Sequence, residues 1–518
     1  EVVPMEFAHV KSGRISRGHR FLCKEDVTIE SPETYKETMR KASVIVDQDE
    51  RRDMIRKGLL AKAEELGGNV WHNADLLEEI NYLVEYPTPL YGRIDEEFLK
   101  LPVPAVVTPM RDHQRYYPVR NEDGSLMPYF LTVRNGGTKA IHNVQIGNER
   151  VLRARLDDAK FFFENDRKKS LEGHREDLTR INYQERMGTM LDKADRLQKL
   201  SDFICDGWNL SADEKADAER AAYLSKSDLA TGMVTEFTEL QGEMGKEYAL
   251  LDGEKKNVAQ AIFEQYMPRF AGDILPQESI GRVLSMADKL DNLAATFLRG
   301  LIPTGSQDPF ALRRQTIGAV NILTDGGIHW DIREGIRKAL ELLPGEKEAK
   351  ETALGQIEEF FRQRIKAIML DEGIAYDIID AVLAGPVDDI EALFLKARAM
   401  AESQLKDETD LRQAVTRLAN ITKDKEGGAV DPSLFEVEYE KNLQAALDEV
   451  KAEVLPLYKE YQYGKALASL KKLTAPINDY LDNVMVMVDD EKVKANRVSQ
   501  LISALDLFRA WGDFSKLV

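Results

Sequence analysis

The run VQIGNERVLRARLDDAKFFFENDRKKSLE, Val144–Glu172, decides how the rest of this chain is read. From about Asn148 it has the spacing of a helix. Leu152, Leu156, Ala159 and Phe163 recur at i, i+4, i+7 and i+11 on one face, while Arg150, Arg153, Lys160 and Arg167 fall mainly on the other. One face packs and the other meets something polar. Asp157 and Glu164 interrupt the cationic face at helical spacing, so two readings stand side by side: a solvated stripe paired within itself, or a surface that meets phosphate.

Around this helix lie 518 residues, more than one core organises, and three or four domains are expected. With 43% hydrophobic and 31% charged residues the composition is that of a globular protein, and no apolar run approaches the ~18 residues of a membrane span. No signal-peptide pattern opens the chain. Two cysteines, Cys23 and Cys205, cannot build a disulfide framework or a four-cysteine zinc site, so a cytoplasmic protein is expected. A net charge of −19 argues against a general nucleic-acid binder, because phosphate is neutralised by Lys and Arg; any RNA contact must be local.

The first ~145 residues read as mixed structure. Arg52 to Leu66 predicts a helix with Ile55, Leu59, Ala63 and Leu66 inward, stopped by Gly67-Gly68; the β-branched run Pro102 to Thr108 predicts a strand. Tyr116–Val119 and Leu126–Val133 flank Asn121-Glu122-Asp123-Gly124 and predict a hairpin. From about Glu176 helical periodicity takes over. Asp308 and Pro309 predict an N-cap and first helical residue, with Arg313 and Arg314 projecting from the first turns. Trp330 to about Asp407 reads as helical, with breaks at Gly373 and Gly385-Pro386. The pattern stays helical from about Thr409, with a loop near Lys423 to Asp431, a break at Pro476 and a buried apolar run Val484 to Val488.

Several catalytic signatures fail on inspection. LSKS at 224–227 lacks a companion His-Gly-His adenine motif, and GEMGKE at 242–247 lacks the glycine spacing and Ser/Thr of a phosphate loop. No G-x-S-x-G elbow appears, and no histidine can be assigned to either cysteine. His113, among Arg111, Arg115, Tyr116 and Tyr117, suits either base stacking or packing between strand and turn. Asp288 and Asp291, three apart on a helix, could share a face with Asp228 as a third carboxylate. Their alternative is to cap, to pair with Lys289 or Arg282, or to sit in solvent.

The stretches IGNERVLRARLDDAKFFFENDRKKSLE (146–172) and TPMRDHQRYYPVRNEDGSLMPYFLTVRNG (108–136) resemble the beta subunit of the bacterial tetrameric glycyl-tRNA synthetase. AAYLSKSDLATGMVTEFTELQGEMGKEYA (221–249), the run from Ser279 to Val320, and PINDYLDNVMVMVDDEKVKANRVSQLISALDLF (476–508) extend the likeness almost to the last residue. It implies a mainly α, multidomain chain. An N-terminal α+β domain (1–175, B3/B4-like) would precede a degenerate HD-like helical domain (176–327), a helical connector (328–408) and a helical anticodon-binding bundle (409–518). The chain starts with Glu, and the resemblance implies a segment before it.

In function, the resemblance implies a non-catalytic subunit that captures tRNA-Gly and positions it for glycylation by an alpha subunit in an α2β2 heterotetramer. ATP and magnesium would act on the alpha subunit; this chain would hold no cofactor, no metal and no catalytic residue, and meet no membrane. Candidate tRNA contacts are Arg150, Arg153, Arg155, Lys160, Arg167, Lys168, Arg313, Arg314, Asn483, Lys494, Asn496 and Arg497, with Lys492 beside them. An HD hydrolase uses histidine ligands, and none of the seven histidines falls in 176–327; SKSD at 225–228 stands where a His-Asp pair would be. A metal-dependent phosphohydrolase and an assembly scaffold without RNA contact remain the alternatives.

Overall fold

A computed structural model describes residues 2–305, 307–403 and 409–517. They form two compact units, Glu1–Leu178 with Lys226–Lys255, and Thr179–Ser225 with Lys256–Val518. The expected four-part division is finer than this. Residues 226–255, grouped by sequence with the central block, pack with the first unit, and the boundary expected at 408 lies outside the described residues.

The first unit is built on a four-stranded antiparallel sheet in the order Asn69–Val70, Tyr117–Arg120, Leu126–Asn135, Pro87–Arg93. The expected hairpin is its centre, with Tyr117 opposite Leu131 and a bulge between Pro118 and Arg120. At its turn Gly124 takes a left-handed φ of 85°, which glycine adopts without steric cost, and Asp123 accepts a bond from the Ser125 N–H at 2.9 Å. The helix expected at 52–66 spans Gln48–Glu65, because Asp47 caps it four residues earlier by accepting from the Asp49 and Glu50 N–H groups. Ile55, Leu59 and Ala63 pack with Leu131 and Val119 in one core, and Leu66 is partly buried against it.

Two expectations about apolar runs fail. Pro102–Thr108 is no strand: Val103–Thr108 is a short helix that continues into a π turn over Pro109–His113. Pro104 sits in the first turn, where its missing N–H has no partner to lose, and Ala105, Val106, Val107 and Met110 are almost completely buried. Burial overrides β propensity here. Val484–Val488 is a loop with bends at 486 and 487, not a buried run: Val484 and Val486 are buried while Met485 and Met487 are exposed.

The second unit is helical apart from isolated bridges. Its central helix, Ser279–Leu298, is buried along nearly its whole length, with Met190–Gly207, Ala212–Leu224, Lys256–Glu264 and Leu312–Gly326 around it. The Leu312–Gly326 helix starts three residues after the expected position. Asp308 still supplies the cap, accepting from the Leu312 and Arg313 N–H groups at 2.9 Å each, but Pro309 lies in the preceding turn. Helices Ile332–Glu341, Lys347–Asp371, Tyr376–Val382 and Ile390–Glu402 fill the connector, broken at Gly373 (φ 82°) and Gly385-Pro386 as expected.

Five further helices, Thr409–Thr422, Glu438–Lys459, Tyr463–Leu470, Thr474–Asn483 and Glu491–Arg509, form the bundle at the end. Leu501, Leu505 and Phe508 are buried on one face of the last helix. Pro476 makes no break. It stands in the first turn of Thr474–Asn483, where a missing N–H is tolerated.

Candidate nucleic-acid interface

The deciding helix spans Ile141–Asp166, seven residues longer at its start than its periodicity suggested. Leu152, Leu156 and Ala159 are buried, and Phe163 stacks on Tyr248 at 5.9 Å. Its cationic stripe is largely paired, but not within itself. Arg153 meets Asp95, Lys160 meets Glu97, Arg167 meets Asp252, and Arg155 lies 3.9 Å from Glu236. The Glu97 bond is the largest influence on Lys160 and raises its pKa; Glu164 and Asp157 add less. Lys168 donates to the Asn165 carboxamide at 3.0 Å, and Arg150 is exposed without an ion pair among the described residues.

Asp166, at the end of this helix, carries a role that sequence reading missed. It is buried and accepts from the Gly232 N–H (2.8 Å), the Met233 N–H (2.9 Å) and the Tyr248 hydroxyl (2.9 Å), so it caps the Gly232–Glu236 helix from 66 residues away. Nothing in the string FENDRKK separates this aspartate from its solvated neighbours. His113 takes the packing alternative: it stacks on Phe237 at 5.7 Å and lies 3.6 Å from Glu239. Tyr116 and Tyr117 are buried, and burial pushes the Tyr116 hydroxyl up to about 12; neither ring is open to a base.

The aspartates weighed as metal ligands are occupied by cations of the chain. Lys193 Nζ donates to Asp291 Oδ2 and Asn292 Oδ1 at 2.9 Å each and lies 2.9 Å from Asp288 Oδ1. Arg196 Nε donates to Asp291 Oδ1 at 2.6 Å. Burial alone would raise the Asp291 carboxyl, but Lys193 and Arg196 outweigh it and hold it below the usual carboxylate range. The pairing differs from the expected one with Lys289 or Arg282: Lys289 donates instead to the Met267 carbonyl and the Ser285 hydroxyl. Asp228, the third carboxylate considered, belongs to the other compact unit, is fully buried and accepts from the Gly242 N–H at 2.6 Å.

In the terminal bundle the polar residues divide into two groups. Arg497 is 4% exposed and donates from Nε to Glu440 (2.8 Å), from Nη2 to Glu436 (2.8 Å) and from Nη1 to the Met485 carbonyl (2.9 Å). Burial would raise the Glu440 carboxyl, but Arg497 and the Val437 and Glu436 N–H groups prevail and lower it. Asn496 holds the Asp431 backbone at both ends, accepting its N–H at 2.7 Å and donating to its carbonyl at 3.1 Å. Both side chains tie the 423–431 loop and the Glu438–Lys459 helix to the last helix. Asn483 is exposed and donates only to the Asp479 carbonyl at 2.8 Å. Lys492 is exposed, and Lys494 pairs with Glu491 one turn away at 2.8 Å. In the central helices Arg313 donates to the Gly305 carbonyl at 2.6 Å, and Arg314 is exposed.

Residues 1–384 match the family described as glycyl-tRNA synthetase beta subunit, and residues 411–509 match the DALR anticodon binding domain. The latter covers nearly all of the terminal bundle. Relatives named glycine–tRNA ligase beta subunit are 44% identical in Clostridioides difficile, 42% in Desulforamulus reducens and 40% in Bacillus subtilis, each covering 100% of this chain and 75% of the relative. A mainly helical chain ending in an anticodon-binding domain, with these relatives, is a component of an aminoacyl-tRNA synthetase. It belongs to the glycine–tRNA ligase beta-subunit family. Among the described residues no helix is long and apolar enough to cross a membrane.

Proposed function

We propose that this chain captures tRNA-Gly and positions it so that its terminal adenosine enters the active site of an alpha subunit, where ATP, magnesium and glycine are handled, within an α2β2 assembly in the cytoplasm. The observation that carries this reading is the anticodon-binding domain over 411–509, joined in one chain to the beta-subunit region over 1–384. The contribution to catalysis is orientation. Holding a large substrate in register with a distant reactive centre removes much of the entropic part of the barrier. The degenerate HD-like helical domain of this scheme is the 176–327 region less the 226–255 segment that packs with the first unit, and in it Lys193 and Arg196 supply the positive charge that a metal ion would otherwise bring.

Phosphate contact falls to cations that the fold leaves outward, Arg150, Lys168, Arg314 and Lys492, with half-buried Lys494, which pairs with Glu491, next to them and Asn483 beside the anticodon-reading face. Arg153, Arg155, Lys160 and Arg167 carry surface ion pairs that RNA phosphate can displace, since such pairs are weak in water. Arg497 and Asn496 act indirectly, by fixing the loop and helices that present the exposed groups. Glycine-dependent ATP–pyrophosphate exchange tests the division of labour. The chain alone is expected to support none, and addition of the alpha subunit to restore it; exchange by the purified chain alone would contradict the proposal.

A further inference from the structure

A pocket of about 480 Å³ opens on the Lys347–Asp371 helix between Arg313 and Arg364, with Phe297 and Phe360 as its apolar wall. It lies in the range of small-ligand sites. Two cations, Arg313 and Arg364, lie on its wall with one carboxylate, Glu359, and Arg313 Nη2 donates to the Gly305 carbonyl at 2.6 Å. Asp308, the acid near Arg364, gives its two oxygens to the Leu312 and Arg313 N–H groups. Glu359, also on the wall, accepts from Gln363 at 3.1 Å and lies 3.4 Å from Arg362. Arg364 Nε is buried with no hydrogen-bond partner among the described residues, while its Nη2 donates to Gln363 Oε1 at 3.3 Å and its guanidinium lies 5.0 Å from the centre of the Phe360 ring. Burial first, and the Arg313 charge second, act against the Arg364 cation. A buried donor without a partner is costly, so such an arrangement points to an absent anion.

A second observation comes from the same helix. Gly355 lies in the middle of it, where glycine is less stable than alanine, yet a Cβ built there meets nothing within 4 Å. Packing therefore gives no reason for the glycine. Gly355 lines this pocket, one face of the helix running through Gln356, Glu359 and Gln363, and its missing side chain keeps the mouth open.

We propose that this pocket binds the phosphate of a nucleotide, with Arg313 and Arg364 as the paired guanidinium clamp and Phe360 with Gln356 beside the base. Arginine forks suit phosphate oxygens, and bases rest on apolar and amide groups. The nucleotide belongs either to an RNA chain or to a free mononucleotide. In the first case the inference rests on the tRNA reading above and adds a contact remote from the anticodon bundle in sequence.

The test measures tRNA-Gly binding by anisotropy, and the thermal shift given by adenosine 5′-monophosphate and by inorganic phosphate, for the full chain, Arg364→Ala and Gly355→Leu. Both variants are expected to keep the wild-type circular dichroism, and Gly355→Leu its thermal stability, because leucine is a better helix former than glycine. Loss of tRNA affinity by tenfold or more in both, with no response to the mononucleotide, assigns the site to RNA. A thermal shift by the mononucleotide in the wild type that vanishes in both variants, with tRNA affinity unchanged, assigns it to a free nucleotide. Unchanged tRNA affinity in both variants together with no response to either small probe overturns the proposal. Failure of the wild-type chain to bind any tRNA is a separate result, which removes the RNA arm and leaves the mononucleotide arm to decide.

Discussion

At the residue scale, the chain uses charge inside its helices as structure and leaves a smaller set outside for contact. Lys193 is the clearest case. Its ammonium holds three side-chain oxygens in a site 3% exposed, so replacing it with methionine takes the lysine from Asp288 and leaves buried Asp291 with Arg196 alone. Removal of one partner from such a buried pair costs ~3–5 kcal/mol, and urea unfolding of Lys193→Met is expected to show a loss of that size. The pH dependence follows from the sign of the Asp291 shift. Its folded carboxyl is held down, so the stability it contributes is complete above the ordinary aspartate value of about 4 and is lost as pH falls through the folded value. The stability gap between wild type and Asp291→Asn is therefore expected to be widest near neutral pH and to shrink in acid. A gap independent of pH would mean that Asp291 is not ionised in the folded chain.

Arg497 carries the same logic into the terminal bundle. Arg497→Ala is expected to destabilise the chain by more than the ~0.5 kcal/mol typical of surface substitutions, because Glu440 is left buried without its arginine and the Met485 carbonyl and Glu436 lose its donors. Lys492→Glu, exposed at the start of the same helix, is expected to leave the melt unchanged and to weaken tRNA binding. Equal melts for the two variants would refute this division between a tying arginine and a contacting lysine.

At the scale of elements, sequence made amphipathic helices legible and left their partners hidden. Leu152, Leu156 and Ala159 announce their own burial through a period that needs no knowledge of the rest of the chain. Ion pairs are different. Arg153, Lys160 and Arg167 find Asp95, Glu97 and Asp252, which lie 58 to 85 residues away, and no local pattern couples them. The same limit hid Asp166 and Glu440, whose partners come from other helices, and hid the clamp of Arg313 with Arg364. Short apolar runs failed for another reason: Val103–Thr108 and Val484–Val488 are similar in composition, and only the surrounding core decides between a buried turn of helix and a bent loop with alternating burial. For the Ile141–Asp166 helix, reversal of Arg150 or Lys168 to glutamate is expected to weaken tRNA binding uniformly across tRNA species and to lower the salt slope by about 1 per contact removed. Thermal melts of both variants are expected to match the wild type.

At the scale of the whole molecule, a chain with net charge −19 that handles RNA must do so through local cations. Acidic surroundings turn away RNA that arrives in the wrong register, so specificity and net charge work in the same direction. The alternatives from sequence are separable on this ground. A phosphohydrolase needs an open metal site, whereas Asp288 and Asp291 already hold Lys193 and Arg196. A scaffold needs no exposed cations on its anticodon-binding bundle. The measurement that bears most directly on the account is equilibrium binding of the full chain to tRNA-Gly and to a non-cognate tRNA across a salt series. Tighter cognate binding whose logarithm falls steeply and linearly with the logarithm of salt is the predicted result. Equal affinity for both tRNAs, or none for either at low salt, would contradict it.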